Sequence, residues 1–329
     1  MMKTNQPVVA IVLPAYNEAS TIAQTIESFH NAVPEAHIYV IDNNSKDATG
    51  KIAAYLLSRL GCQGGVISES RQGKGNALRR AFQTIDADVY LLADADLTYP
   101  AGMARELMAP IINNEADMVV GDRCSGGDYG RENKRPFHGF GNALVQWLVN
   151  FLFHSRLTDI MSGYRAFSRL FVKNYPVLVE GFEIETDMTL HALHKRFKIV
   201  EIPVIYRDRP NGSVSKLNTF ADGTKVIFTI FQILRYYRPL MFFGGAAIVF
   251  CAVGLLCSIP VINDWITSRY IYHVPLAILS TGLEIVAIMM LSIGLILDSL
   301  VHQDLCEYER SLLKPGLNNK GFSNTSFKI

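Results

Sequence analysis

The chain holds 329 residues, carries a formal net charge of +1 and is 49% hydrophobic. That length accommodates one large domain or two ordinary ones, and the balanced charge argues against a nucleic-acid binder, which carries a marked basic excess. Five cysteines with no Cys-x-x-Cys pair indicate reduced thiols, neither a zinc site nor a disulfide framework.

Lys3 is followed by strand-like sequence without the apolar core of a signal peptide. Val8–Leu13 reads as a strand, and Ser20–Val33 as a helix with Ile22, Ile26 and Phe29 on one face. A second strand, Ile38–Ile41, precedes a helix that Ser45 can cap and that runs to Leu60. Val66–Ser68 is a third strand, with a helix over Asn76–Ile85 behind it. Val89–Ala93 and Met118–Val120 are the fourth and fifth, separated by a helix near Met103–Ile112. Repeated βαβ units of this kind predict an α/β fold, a mostly parallel sheet with helices on both faces. Ligands of such sheets bind at the carboxyl ends of the strands. Polar residues gather at those ends: Asn17 and Glu18, Asp42 and Asn43, Glu69 and Arg71, Asp94 and Asp96, Asp122 and Arg123.

Residues 219–238 place Phe220, Val226, Ile227, Ile230, Phe231 and Leu234 on one side, the pattern of an amphipathic helix lying in a membrane interface. Packing of that helix on the soluble domain is the alternative. Leu240–Ile262 and Val274–Leu297 are each long enough to span a bilayer, which takes roughly 20 apolar residues. The short connection 263–273 predicts an antiparallel transmembrane hairpin. Arg235 and Arg238 before it, and Arg310 and Lys314 after it, put both flanks in the cytoplasm by the positive-inside rule. The expected organisation is a catalytic domain over 1–218, an interfacial helix over 219–238, the hairpin over 239–299 and a tail over 300–329 that is disordered after Lys314. Glu284 interrupts the second span, where an ionised carboxylate costs about 2.5–3.5 kcal/mol. A protonated form, or one facing the partner helix or another subunit, answers that cost, and the last would make a homo-oligomer.

Asp94-Ala-Asp96 closes the fourth strand and delivers two hard oxygen ligands to the sheet edge. Such ligands suit Mg²⁺ or Mn²⁺ carrying a diphosphate. The dinucleotide fingerprint Gly-x-Gly-x-x-Gly, the complete phosphate loop and the Gly-x-Ser-x-Gly elbow are all missing. In their place stand Leu13-Pro14-Ala15-Tyr16-Asn17-Glu18 after strand one and Asp42-Asn43-Asn44-Ser45-Lys46-Asp47 after strand two. With Asp94-Ala-Asp96 these motifs resemble the family-two inverting glycosyltransferases of the Rossmann-like GT-A fold. Asp159-Ile-Met-Ser162-Gly163-Tyr164-Arg165 and Gly212-Ser-Val-Ser215-Lys216-Leu-Asn218 narrow the resemblance to the branch of dolichyl-phosphate-mannose synthase and bacterial polyprenyl-phosphate glycosyltransferases. It runs from about Val8 to Asn218, and the two spans match the membrane-anchored members.

The resemblance implies that Pro14, Tyr16, Glu18 and Asp42 hold the nucleotide of a sugar donor, although Glu18 alone can also be a helix-start carboxylate favoured by the dipole. Arg71 to Gly75, with Lys74, would line the donor site, the glycines letting backbone approach the ligand. Asp94 and Asp96 would hold the metal and diphosphate, making Asp96 catalytic. Many relatives carry Gln where Thr98 stands, so Thr98 replaces a metal ligand or its neighbour by a hydroxyl. Asp159 and Arg165 are counted with the catalytic set, Asp159 orienting the acceptor or organising Arg165.

A sugar hydroxyl acceptor needs a general base. A lipid monophosphate, whose second pKa is about 6, arrives already anionic; it needs cations that position it. Arg123, Arg131, Lys134 and Arg135 are the candidates for the acceptor phosphate, and Arg209, Ser215 and Lys216 can clamp either phosphate. Glu183, Glu185 and Asp187 form a further acidic cluster, read equally as site residues or as a solvated helix start. The function implied is inverting transfer of glucose or GlcNAc from a UDP-linked donor to undecaprenyl phosphate, at the cytoplasmic side of a bacterial inner membrane. Gln232-Ile-Leu-Arg235-Tyr236 resembles a motif of processive polysaccharide synthases, a rival that two spans poorly serve. A lipid-carrier binder without catalysis is the rival from another class.

Overall fold

The computed structural model describes residues 7–125, 136–180, 183–205 and 230–313, with residues 136–140 and 142 as backbone only. The chain forms two compact units, Met1–Gly223 and Thr224–Ile329. In the first, strands β1 (Val9–Ala15), β2 (His37–Asp42), β3 (Gly64–Ser68), β4 (Val89–Leu92) and β5 (Met118–Asp122) stand where the apolar runs predict them. Two strands not foreseen, β6 (Arg165–Ser168) and β7 (Ile199–Pro203), complete a seven-stranded sheet of order β3-β2-β1-β4-β6-β5-β7. All neighbours pair in parallel except β6, which is antiparallel to both β4 and β5. The strand order reverses between β1 and β4, the place where open α/β sheets bind ligands.

Period-two alternation divides β1 between the two faces. Val9, Ile11, Leu13 and Ala15 join one core with α1 (Ile22–Ala32), α2 (Thr49–Arg59) and α4 (Ala104–Ile112). Ile11, Leu13, Ile22 and Ile26 are fully enclosed there, each contributing about 1.5–3 kcal/mol. The opposite face carries α3 (Lys74–Thr84), α6 (Arg169–Asn174) and α7 (Ile184–His194) around an aromatic layer in which Phe82 meets Tyr90 and Phe167 edge-on. Ser45 does not cap α2, which begins four residues later. Its hydroxyl accepts the Asn17 N–H, while Asp47 receives the Thr49 N–H at 3.0 Å. Helix α5 (Pro136–Phe153) buries Val145, Leu148, Val149 and Leu152 and exposes Leu144, Trp147 and Phe151, whose aromatic rings stack at 5.5 Å.

The second unit contains α8 (Pro239–Ser268) and α9 (Val274–Leu312), two helices long and apolar enough to cross a membrane, with mean hydropathies of 2.4 and 2.1. Only 11% of each apolar window is buried, which sets them apart from the core helices of a soluble domain. Ala247 and Gly254 of α8, and Ser280, Ala287 and Gly294 of α9, are spaced by seven and buried, the small-residue seam that lets membrane helices approach closely. Ser280 donates its hydroxyl to the Gly254 carbonyl at 2.9 Å, and Glu284 packs against Gly254. Of the placements open to Glu284, this is the one facing the partner helix. Helix α9 continues past the apolar run to Leu312, so the first part of the expected tail is helical. Its residues 298–312 contain neither Gly nor Pro, and the next breaker is Pro315. Of the expected interfacial helix, residues 230–237 are helical and 219–229 lie outside the described residues.

Candidate active site at the carboxyl edge of the sheet

The register Leu92↔Arg165 brings the start of the antiparallel β6 beside the end of β4, so Ser162-Gly163 lies against Asp94-Ala95-Asp96 despite some 70 residues of separation. The turn after β4 is held from several sides. Thr21 at the N-cap of α1 and Thr25 within it donate their hydroxyls to the Ala95 carbonyl at 2.8 and 3.2 Å. Asp96 is buried, and its Oδ1 receives the Thr98 hydroxyl at 2.6 Å and the Thr98 N–H at 3.2 Å. These bonds hold Leu97 between them in the left-handed region, at φ 65°, uncommon for a bulky residue. Thr98 therefore orients Asp96 through both its hydroxyl and its N–H. The Tyr99 hydroxyl accepts the Gly163 N–H at 2.9 Å, and its ring stacks on Tyr164 at 5.1 Å. Burial pushes the Tyr99 phenol well up, so it stays protonated. A Cβ at Gly163 would stand 3.0 Å from both Asp94 Oδ2 and Lys74 Nζ, closer than ordinary contact.

Lys74 reaches the same point from the first turn of α3. Its ammonium lies 2.5 Å from Asp94 Oδ1 and 2.6 Å from Glu185 Oε1. Burial alone would lower its pKa, but the two carboxylates outweigh that and hold it above the usual lysine range. The glycines flanking it serve a purpose different from the expected one. A Cβ on Gly75 would strike the Val179 carbonyl oxygen, and Gly75 N–H donates to the Glu180 carbonyl at 3.0 Å. They admit the backbone of residues 179–180. Asn43 fixes the same turn, donating to the Arg71 carbonyl at 2.6 Å and accepting the Gly73 N–H at 2.7 Å. Arg71 is exposed and bonded to buried Glu69, whose carboxyl it holds below the usual range. Pro14, Tyr16, Glu18 and Asp42 stand partly exposed at the ends of β1 and β2 along the same sheet edge.

Asp159 and Arg165 part company. Asp159 Oδ2 takes Arg123 Nε at 2.7 Å and Oδ1 takes Nη2 at 2.9 Å, a bidentate pair. Burial pushes the Asp159 carboxyl up, and the bonds from Arg123 bring it below the usual range. Arg165 corrects the expectation. It is fully enclosed, giving Nε to the Ser162 carbonyl and Nη2 to the Ile160 carbonyl, each at 2.7 Å, and Nη1 to Thr189 Oγ1 at 2.8 Å. Those partners make it a prop of the 160–163 segment, and Asp159 bonds Arg123 instead of Arg165. Glu201 accepts the N–H groups of Thr158 and Asp159, and Thr158 donates its hydroxyl to Asp122 at 2.8 Å. Sequence reasoning missed Glu201 and Thr158, for which the polar end of β5 at Asp122 was the one signal, and named Gly163 only as part of the Asp159-to-Arg165 motif. Arg131, Lys134, Arg135, Arg209, Ser215 and Lys216 lie outside the described residues.

Two acidic groups compete as metal holders. Asp122, Cys124 and Asp159 bring ligand atoms within 4.8 Å of one another. All their carboxylate oxygens are already engaged by Arg123, Thr158 or backbone N–H groups. The Cys124 thiol is pushed up to about 11 by desolvation and the adjoining Asp159 and Asp122. That cluster does not fit. Asp94 and Asp96 suit a metal better: two hard oxygen donors at a sheet edge, with 27% of the Asp94 side chain exposed.

Comparison with known proteins accords with this geometry. Residues 10–175 match the family model for glycosyl transferase family 2. Glycosyltransferase AglJ of Haloferax volcanii is 30% identical, over 88% of this chain and 92% of that protein. Polyprenol monophosphomannose synthase of Mycolicibacterium smegmatis is 26% identical, over 69% of this chain and 85% of its own length. Among solved structures, glucosyl-3-phosphoglycerate synthase of Mycobacterium tuberculosis, in complex with Mn²⁺, UDP and glucosyl-3-phosphoglycerate, superposes with a TM-score of 0.54 at 20% identity, covering 70% of this chain and 79% of that one. At that identity the likeness is one of fold. A sheet whose carboxyl edge carries Asp-x-Asp beside an antiparallel strand defines a nucleotide-sugar transferase of the GT-A fold. The chain belongs to glycosyl transferase family 2.

Proposed function

We propose that this protein transfers one sugar, glucose or GlcNAc, from a UDP-linked donor to undecaprenyl phosphate, with inversion at the anomeric carbon. The observation that carries the acceptor half is the engagement of the carboxylates the acceptor side would need. Asp159 is bound to Arg123 and Glu185 to Lys74, so neither is poised as the base that a sugar hydroxyl requires. A lipid phosphate brings its own negative oxygen. Relatives named for polyprenol-phosphate and undecaprenyl-phosphate mannosyl transfer support the same class of acceptor. So do two membrane-length apolar helices and the exposed Trp147–Phe151 stack, a side-chain pair suited to a lipid interface.

Within this reading Pro14, Tyr16, Glu18 and Asp42 receive the nucleotide, with Arg71 at the rim of the same edge. Asp94 and Asp96 hold Mg²⁺ or Mn²⁺, which when bound neutralises the departing diphosphate. Thr98 and Thr21 keep those carboxylates in place, and Tyr99 with Arg165 holds the 160–163 segment against them. Arg123, with Arg131 and Arg135, receives the acceptor phosphate and orients it for in-line attack. Arg209, Ser215 and Lys216 clamp either phosphate. The catalytic domain faces the cytoplasm of a bacterial inner membrane.

The test incubates purified protein with radiolabelled UDP-glucose, UDP-GlcNAc or GDP-mannose, undecaprenyl phosphate and Mn²⁺. A chloroform-soluble labelled product that EDTA abolishes is expected. Labelled polymer without labelled lipid would replace the reading by a polysaccharide synthase, and no turnover with any donor by a lipid-carrier binder.

A further inference from the structure

We propose that Lys74 and Glu185 form a positioning pair for Asp94, fixing which carboxylate oxygen is offered to the metal-bound diphosphate; this rests on Asp94 being a metal ligand. The Lys74 side chain is 9% exposed and that of Glu185 8%, whereas Asp94 is 27% exposed. The ammonium therefore grips Asp94 from inside by Oδ1, and Oδ2 is the oxygen outside that ion pair. Glu185 fixes the ammonium from the other side, so the orientation of Asp94 is set by a chain of two short ion pairs.

The local sequence opposes this placement of a lysine. Lys74 is the first residue of α3, where the helix dipole disfavours a cation, and no acidic residue stands in that first turn. Two carboxylates remote in sequence offset the cost, Asp94 from the end of β4 and Glu185 from the first turn of α7. The backbone is built to aim it: Gly73 adopts φ 133°, and Gly75 N–H is pinned to the Glu180 carbonyl. Glu185 shares its helix face with Thr189 one turn on, which binds Arg165. One face of α7 thus steadies both segments that meet at Asp94. A lysine placed against local preference and locked by partners from distant elements marks a functional constraint.

Lys74 does not touch substrate in this scheme; it acts through Asp94. Partners that orient metal-binding carboxylates are commonly worth 10- to 100-fold in metal affinity, by about that order of magnitude. Two effects oppose each other at this position. Losing the ammonium frees Asp94 to rotate, which weakens metal binding, but also removes a like charge near the metal, which strengthens it. The buried geometry makes orientation the larger effect.

The experiment measures Mn²⁺ uptake without turnover, following the loss of the free-ion electron paramagnetic resonance signal on full-length protein in nanodiscs with UDP. Lys74→Met is expected to weaken Mn²⁺ binding about tenfold, a larger factor than any change in metal-free UDP binding. Lys74→Met leaves Glu185 buried and unpaired, so the double variant Lys74→Met/Glu185→Gln separates stability from positioning. It should regain thermal stability yet keep the tenfold loss, while Lys74→Arg restores part of the affinity. Parental Mn²⁺ affinity in the double variant would reduce Lys74 to a structural counterion and overturn the proposal. Tighter Mn²⁺ binding in Lys74→Met would also overturn it, showing that the ammonium competes with the metal. A parent protein that binds UDP but takes up no Mn²⁺ would instead remove the metal reading on which the proposal stands.

Discussion

Replacing Arg165 by Met separates a supporting arginine from a catalytic one. The guanidinium is wholly enclosed and makes three bonds of 2.7 to 2.8 Å, two of them to the carbonyls of Ile160 and Ser162. Met retains most of the stem but leaves these acceptors without donors, each at a cost of about 1–3 kcal/mol. Set against this is relief from burying a cation, a penalty of several kcal/mol that shows in the lowered pKa that burial gives Arg165. The expected net loss is about 2–4 kcal/mol. In a domain of this size each kcal/mol lowers Tm by about 2–4 °C, so thermal unfolding should move down by about 5–15 °C. Activity at low temperature should fall through displacement of Gly163 and not vanish, with nucleotide binding kept. Scanning fluorimetry beside initial rates at 20 °C reads both. An unchanged Tm together with loss of all turnover would refute the reasoning and return Arg165 to the reacting centre.

The other expectations concern groups that meet at the same edge. Gly163→Ala places a methyl 3.0 Å from Asp94 Oδ2 and Lys74 Nζ; with ordinary backbone there, Tm should change by less than about 4 °C, while the rate falls about tenfold and more Mn²⁺ is needed. Thr98→Val removes the hydroxyl from Asp96 and should cost about 1 kcal/mol of stability, with a larger loss in Mn²⁺ affinity than in metal-free UDP affinity. Asp159→Asn should destabilise by about 2 kcal/mol at neutral pH. Burial raises and Arg123 more strongly lowers the Asp159 pKa, so its stabilisation is present above the unfolded value of about 4 and is lost as pH falls through the lower folded value. Urea titrations should therefore show a constant gap between parent and variant above about pH 5 that closes in acid; a gap widening in acid would contradict the pairing. Trp147→Ser/Phe151→Ser should raise KM for undecaprenyl phosphate in vesicles and leave UDP binding unaltered.

Strands β1 to β5 were legible because each is an apolar run bounded by polar residues at the carboxyl end, as in Val9–Ala15 and Val89–Leu92. Strand β6 was not: Arg165-Ala-Phe-Ser168 offers a charged residue and only four positions. Its burial comes from α7, whose Thr189 satisfies the arginine, and single-chain periodicity carries no trace of that partner. Strand β7 hides likewise, because Glu201 reads as solvent-facing until Thr158 and Asp159 are seen to donate to it. Helix α5 is apolar on both sides and so lacks the stripe that marks an amphipathic helix.

The same distinction governs the site. Strand-end carboxylates could be located from sequence since their position follows from strand geometry alone. Their partners could not, because pairing depends on which distant segments the sheet order makes adjacent. Gly73 and Gly75 looked like ligand-facing glycines, yet the carbonyls of Val179 and Glu180 occupy the space where side chains would stand. Arg165 looked reactive by its motif, yet the antiparallel insertion of β6 turns it inward beneath α7. That insertion also places Gly163 beside Asp94, so one topological feature both encloses Arg165 and brings Gly163 against Asp94 and Lys74. The motif Ser162-Gly163-Tyr164-Arg165 therefore meets Asp94 through its smallest member: the arginine and tyrosine hold the strand start in place, and the glycine lets it approach Asp94 and Lys74 closely.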